Sequence, residues 1–207
     1  MGRYTNPKCR LCRREGEKLF LKGDRCYKRS CALSGNASLP GERPKKRRSR
    51  MSQYRVQLRE KQKVRRIYGV GERQFRNYME QAKRKKGITG DILLAILEKR
   101  LDNIVYRCGF ASSRAQARQL IVHGHFGRNG RSLDIPSTIL NEGDTIAVKK
   151  GRRDRVKDIV EANKERQIPN WMEKNLETME CQVVAPPNVE EIGYTIATNL
   201  IVEFYSR

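Results

Sequence analysis

Large apolar and aromatic side chains are scarce in this chain. Aromatic residues make up 7% of it, tryptophan occurs once, and 37% hydrophobic residues stand against 33% charged ones. That balance suits one or two modest cores across 207 residues rather than one large core. No apolar run is long enough to span a bilayer, and the start MGRYTNPKCR lacks the apolar stretch of a secretory signal. A soluble, cytosolic protein without membrane contact is therefore expected. Histidine is limited to His123 and His125, and the chain has no Walker loop, HExxH, GxSxG or clear nucleophile–base set. These absences leave little basis for an enzyme or for a small-molecule substrate. Internal repeats are lacking as well.

What the chain has in excess is positive charge. The formal net charge is +22, and it is segregated. Residues 154–207 hold ten acidic and six basic residues, which leaves +26 on residues 1–153. A compact body with this charge repels itself and calls for a polyanionic partner, nucleic acid above all. The densest run lies between Glu42 and Arg66, with twelve Lys or Arg against two Glu. Its first part, Lys45, Lys46, Arg47, Arg48 and Arg50, has no apolar spacing and reads as extended until RNA neutralises it. From Ser52 onward a helix is expected, with Tyr54 and Leu58 on its thin apolar side. Arg55, Arg59, Lys63 and Arg66 then spread along an exposed surface that would follow an RNA backbone.

Cysteines form two close pairs near the start, Cys9-x2-Cys12 and Cys26-x4-Cys31, thirteen residues apart. Four thiolates in two tight turns are the ligand set of a tetrahedral structural zinc site. Few large apolar residues surround them, so ligation of one metal ion would have to hold the segment together. Iron is the alternative, because four cysteines also hold iron–sulfur clusters. A reducing compartment argues against a disulfide framework, and Cys108 and Cys181 read as core residues.

Residues 98–150 carry the clearest pattern. Leu101, Ile104 and Val105 continue the helical spacing of Leu93, Leu94, Ile96 and Leu97, and Gly109 makes a turn. A second helix restarts at Ser112 or Ser113 and ends at Gly124. Ala117, Leu120 and Ile121 face inward on it, while Arg114 and Arg118 project together from an exposed face and suit bidentate phosphate contacts. Backbone amides at Ser112–Ser113 suit another phosphate. Asn129-Gly130 fits a type I′ hairpin turn, and Gly143-Asp144 leads into a strand over Thr145–Val148. Lys149-Lys-Gly-Arg-Arg153 forms a basic rim at the module's edge, with Lys149 and Lys150 expected to contact RNA, and His123 and His125 suit helix capping and RNA contact. Asp102 and Asp134 are isolated and suit pairing with arginines.

The run RLDNIVYRCGF, the SRAQARQLI helix, HGHF, the NG turn and GDTIAV closely resemble the RNA-binding module of the bacterial small-subunit ribosomal protein four family. MGRY at the start and IVEFYSR at the end extend the resemblance over the whole chain. One departure is Gly127-Arg128 before Asn129, where the family usually has an apolar residue; it adds a charge near bound RNA. The resemblance implies a structural constituent of the small ribosomal subunit in the cytoplasm. It further implies direct 16S rRNA binding, early 5′-domain assembly, a part in decoding accuracy, and small-subunit neighbours including protein five. It also supports a metal site at the four cysteines. Two other classes compete: an RNA-modifying enzyme, for whose catalytic domain no stretch is free, and an RNA-binding regulator sensing metal or redox state through the cysteines.

The expected fold is α+β: a four-cysteine metal-knuckle arm over residues 1–44, a basic helical domain over 45–92, and an α+β domain over 93–207. In the last, a helix pair plus hairpin forms the module, and C-terminal strands extend its sheet. Glu72 to Lys85 reads as a helix burying Phe75, Met79 and Ala82, and Asp154 to Arg166 as another using Val156, Ile159 and Val160. Residues 171–179 have helical composition, although the resemblance implies a short strand near Trp171. Cys181–Val184 and Leu200–Phe204 read as strands. Arg3 completes the expected set of RNA-contacting residues.

Overall fold

The computed structural model describes residues 4–35, 38–41 and 51–206. Among these, the helices are α1 (Cys9–Glu15), α2 (Gln53–Ile67), α3 (Glu72–Arg84), α4 (Thr89–Glu98), α5 (Leu101–Arg107), α6 (Arg114–Val122), α7 (Asp154–Ala162) and α8 (Thr198–Phe204). The strands are β1 (Phe126–Arg128), β2 (Arg131–Ser132), β3 (Thr145–Val148), β4 (Met172–Asn175) and β5 (Glu180–Val183). They fall into two compact units, one drawing on the chain up to Leu93 and from Tyr194 onward, the other running from Leu94 to Gly193. The C-terminal residues thus group with the helical part and not, as expected, with the sheet.

In the helical unit, Ser52 Oγ accepts the Arg55 N–H and starts α2. The buried side of α2 is Gln57, Lys61, Val64 and Ile67, while Tyr54 is 52% exposed, so the stripe is rotated from the expected Tyr54–Leu58 line. Lys61 is buried because its ammonium meets Glu72 at 2.6 Å and lies 4.6 Å from the Phe204 ring centroid. α3 buries Phe75, Tyr78, Met79 and Ala82, as its spacing predicts. The segment Leu200–Phe204 is the main correction: it is helix α8, not a strand. Five apolar-rich residues fit either period, and the decision comes from α2. Gln57 Nε2 donates to Glu203 at 2.8 Å, Lys63 Nζ to the Thr195 carbonyl at 2.8 Å, and Glu60 accepts the Ala197 N–H at 2.8 Å.

In the second unit an antiparallel sheet of order β2-β1-β3-β5-β4 packs with α5, α6 and α7 around one core. Phe110, Ala117, Ile121, Phe126, Ile146 and Val183 are fully buried there. The strands after the module do extend the hairpin's sheet, and residues 172–175 take the strand option. Asn129 (φ 48°) and Gly130 (φ 78°) both have positive φ, as a type I′ turn requires. Gly127 also has a steric reason: a Cβ there would stand 2.9 Å from the Arg131 carbonyl oxygen across the hairpin. Cys108 and Cys181 are core residues as expected, yet their sulfurs are joined in a disulfide, because β5 brings Cys181 to the end of α5 with the Cα atoms 6.6 Å apart.

Candidate nucleic-acid interface

The basic face expected on α2 is largely occupied. Arg55 is exposed, but Arg59 lies 3.3 Å from Glu15, Arg66 bonds the same carboxylate, and Lys63 meets Glu60 at 2.9 Å and Glu17 at 3.4 Å. This is not legible in the sequence because Glu15 and Glu17 come from the cysteine-bearing arm, 44 to 51 residues earlier. Glu15 is enclosed, with its side chain 3% exposed. Burial pushes its carboxyl above the ordinary range, although Arg66 and Arg59 pull it back. Arg3, Lys45, Lys46, Arg47, Arg48 and Arg50 lie outside the described residues.

In the module, the exposed pair expected on α6 is also corrected. Arg114 is only 9% exposed, its Nε donates to Asn103 Oδ1 at 2.8 Å, and its guanidinium lies 4.5 Å from the Tyr106 ring centroid. Arg118 is 3.6 Å from Asp102, whose carboxylate also takes the Arg100 guanidinium through a 3.0 Å bond from Nε. Asn103 in turn donates to Glu98, and Glu98 binds Arg107 at 2.8 Å. Arg166 stands 4.7 Å from the same Tyr106 ring and donates to the Tyr106 and Ala111 carbonyls. These arginines satisfy buried polar groups and fix α5 against α6. Helical spacing puts Arg114 and Arg118 on one face correctly, but that face is turned to Asn103, Tyr106 and Asp102.

The start of α6 is likewise closed by its own side chains. Ser113 Oγ accepts the Gln116 N–H, and Gln116 Oε1 accepts the Ser112 N–H, an arrangement close to a capping box that commits one of the amides expected to bind phosphate, that of Ser112. Arg128 does not add a loose charge to the hairpin: it binds Asp144 through Nε at 2.9 Å and Nη2 at 2.7 Å. Asn129 donates to Asp144 at 2.9 Å and accepts the Thr145 N–H, which ties the turn to β3. Burial works to raise Asp144, but the Asn141 N–H, Arg128 and Asn129 outweigh it and hold the carboxyl below its ordinary value.

Accessible positive charge remains beside the hairpin's other end. Lys150, Arg152 and Arg155 are exposed, His123 is exposed, and Lys149 reaches Ser132 Oγ at 2.6 Å. No ion pair among the described residues uses Lys150, Arg152 or Arg155. His125 differs from its neighbours in being 5% exposed, so direct RNA contact through its ring is not available in this arrangement. Burial, then Arg152, Arg155, His123 and Lys149, hold its imidazole below the usual value and so neutral at pH 7. Arg155 is absent from the residues expected from sequence, and Arg152 is expected only as part of the basic rim, not as an RNA contact. The run KKGRR was the signal, and only the turn Lys150–Arg152 followed by α7 shows that Arg155 joins it.

Among the described residues no group of three or more His, Cys, Asp or Glu is placed to hold a metal ion, so the expected knuckle is not formed as a ligand cluster. Cys9, Cys12, Cys26 and Cys31 are nevertheless all free thiols lining one small cavity with Leu21 and Leu33. Burial raises the Cys12 thiol above its usual value, and the sulfurs of Cys26, Cys9 and Cys31 add to this. The Lys22 N–H points to Cys26 Sγ at 3.4 Å. A soft four-sulfur donor set around a shared space fits zinc or an iron–sulfur cluster in chemistry.

Comparison with known proteins bears on both units. A family model described as the ribosomal protein S4/S9 N-terminal domain matches residues 3–98, and one described as the S4 domain matches residues 99–146. The small ribosomal subunit protein uS4 of Syntrophomonas wolfei is 53% identical to this chain, that of Halothermothrix orenii 52%, and that of Thermus thermophilus 50%. In all three cases both chains are covered over their full length.

Proposed function

Since the chain belongs to the uS4 family of small ribosomal subunit proteins, we propose that it is a non-catalytic structural constituent of that subunit which binds 16S ribosomal RNA directly. The observation that carries this reading is identity of about half over the whole of both chains. The charge supports it, with +26 on residues 1–153. Structured RNA is bound mainly through phosphates, 2′-hydroxyls and shape. Lys150, Arg152 and Arg155 offer exposed cations for phosphates, while Arg100, Arg107, Arg114 and Arg166 brace the helix pair of the same unit. A part in early 5′-domain assembly and in decoding accuracy, with protein five among the neighbours, belongs to the same proposal.

Cys9, Cys12, Cys26 and Cys31 are proposed to hold one zinc ion, an iron–sulfur cluster being the alternative. The support is the shared cavity and the four free thiols. When bound, the metal would cross-link the turn of α1 to the turn at Gly23–Cys26, a stabilisation the few apolar residues of this arm do not supply.

A salt titration tests the RNA reading. Each neutralised phosphate contributes about 0.7–0.9 to the slope of log affinity against log salt. Lys150→Ala/Arg152→Ala/Arg155→Ala should therefore flatten the slope of the full-length protein on small-subunit rRNA by about 2–3 units. Coincident slopes with both proteins folded would remove this patch from the RNA face. Failure of the wild type to prefer that RNA would overturn the function.

A further inference from the structure

The cysteine-bearing arm carries an aromatic arrangement that the phosphate contacts above do not use. Tyr27 follows the turn Gly23–Cys26 and is 63% exposed, the most exposed large aromatic among the described residues. Its ring is backed by Phe20, with centroids 5.0 Å apart and planes 30° apart, and Phe20 is backed by Tyr194 at 6.3 Å. Phe20 has φ 49°, a conformation that bulky L-residues rarely adopt and that persists only where the surroundings enforce it. In that conformation the Phe20 ring lies against Tyr27.

The flanking charge identifies the occupant. Arg25, Lys28 and Arg29 are all exposed and lie within two residues of Tyr27, Lys22 is exposed at the start of the same turn, and Asp24 is the one acidic residue from 18 to 35. An apolar protein partner would meet this ring of cations unfavourably, whereas an RNA strand brings a flat apolar base and a phosphate together. Such pairing of an aromatic platform with adjacent cations is how single-stranded nucleic acid is held without base-specific hydrogen bonds.

We propose that Tyr27, supported by Phe20, is a stacking platform for an unpaired nucleobase, with Arg25, Lys28 and Arg29 holding the adjoining phosphates. The proposal rests on the RNA-binding reading and adds to it a subsite on the helical unit for a looped-out or single-stranded base.

The test measures affinity of the full-length protein for transcribed small-subunit rRNA across a salt series, comparing wild type with Tyr27→Ala, Tyr27→Phe and Tyr27→Trp. Loss of a stacked base lowers affinity about 5- to 100-fold, and by the same factor at every salt concentration. Tyr27→Ala should show that parallel offset, while Tyr27→Phe and Tyr27→Trp stay within about twofold of wild type. Circular dichroism and a thiol count check that the alanine variant keeps its fold, which the exposure of Tyr27 favours. Unchanged affinity of Tyr27→Ala would overturn the platform, with the RNA-binding reading intact. A drop of Tyr27→Phe equal to that of alanine would assign the effect to the hydroxyl and overturn it equally. If the wild type itself shows no preference for this RNA, the RNA-binding reading fails and the platform with it.

Discussion

Replacing Arg114 with alanine removes a guanidinium held inside the module, and the cost follows from its contacts. A hydrogen bond from a charged donor contributes about 1.5–3 kcal/mol, and here the 2.8 Å bond to Asn103 Oδ1 would leave a buried acceptor behind. Stacking on the Tyr106 ring at 4.5 Å adds about 0.5–2 kcal/mol. Releasing a buried cation from the neighbourhood of Arg166 offsets part of this, since both guanidinia lie on Tyr106. The net loss should be about 2–4 kcal/mol. Arg118→Ala breaks a 3.6 Å ion pair to an Asp102 that keeps Arg100, and should cost about 1 kcal/mol or less. Trp171, the single tryptophan, is buried in the same unit and reports its unfolding by fluorescence. At about 1–2 kcal/mol per molar urea, the Arg114→Ala midpoint should fall by about 1–4 M and that of Arg118→Ala by about 1 M or less. Equal midpoints for the two variants would refute the assignment of Arg114 to the core.

Other outcomes follow from single contacts. Asp144 has a folded pKa depressed below its unfolded value, so its contribution is present above about pH 4 and is lost as pH falls through the folded value; Asp144→Asn should flatten acid unfolding of the hairpin unit below about pH 4, read by Trp171 fluorescence. Gly90→Ala would normally favour a helix by about 1 kcal/mol. Here its Cβ would meet Thr198 Cβ at 2.5 Å, so the variant should melt lower, by about 1–3 kcal/mol in a thermal scan, and an equal or higher melting temperature would refute the close contact. Cys26→Ser should abolish zinc or iron content measured by elemental analysis of reductively purified protein, leaving Trp171 fluorescence unchanged; metal content equal to wild type would remove Cys26 from the ligand set.

Local chemistry was enough to read much of this protein. Ser52 and Ser113 announce helix starts, Asn129-Gly130 announces the hairpin, and the alternation in Thr145–Val148 announces a buried strand, because each depends on a few adjacent residues. The excess of Lys and Arg, and the pairing of four cysteines, are equally visible without coordinates. Sequence could not decide where each charge ends up. Glu15 reaches Arg59 across 44 residues and Arg66 across 51, Asn103 captures Arg114 across eleven, and Asp144 captures Arg128 across sixteen. A basic residue looks the same in a sequence whether it faces solvent or a buried acceptor, and only packing chooses. The same holds for Ile201 and Phe204, whose run suits strand or helix until α2 supplies the surface against which α8 is wound.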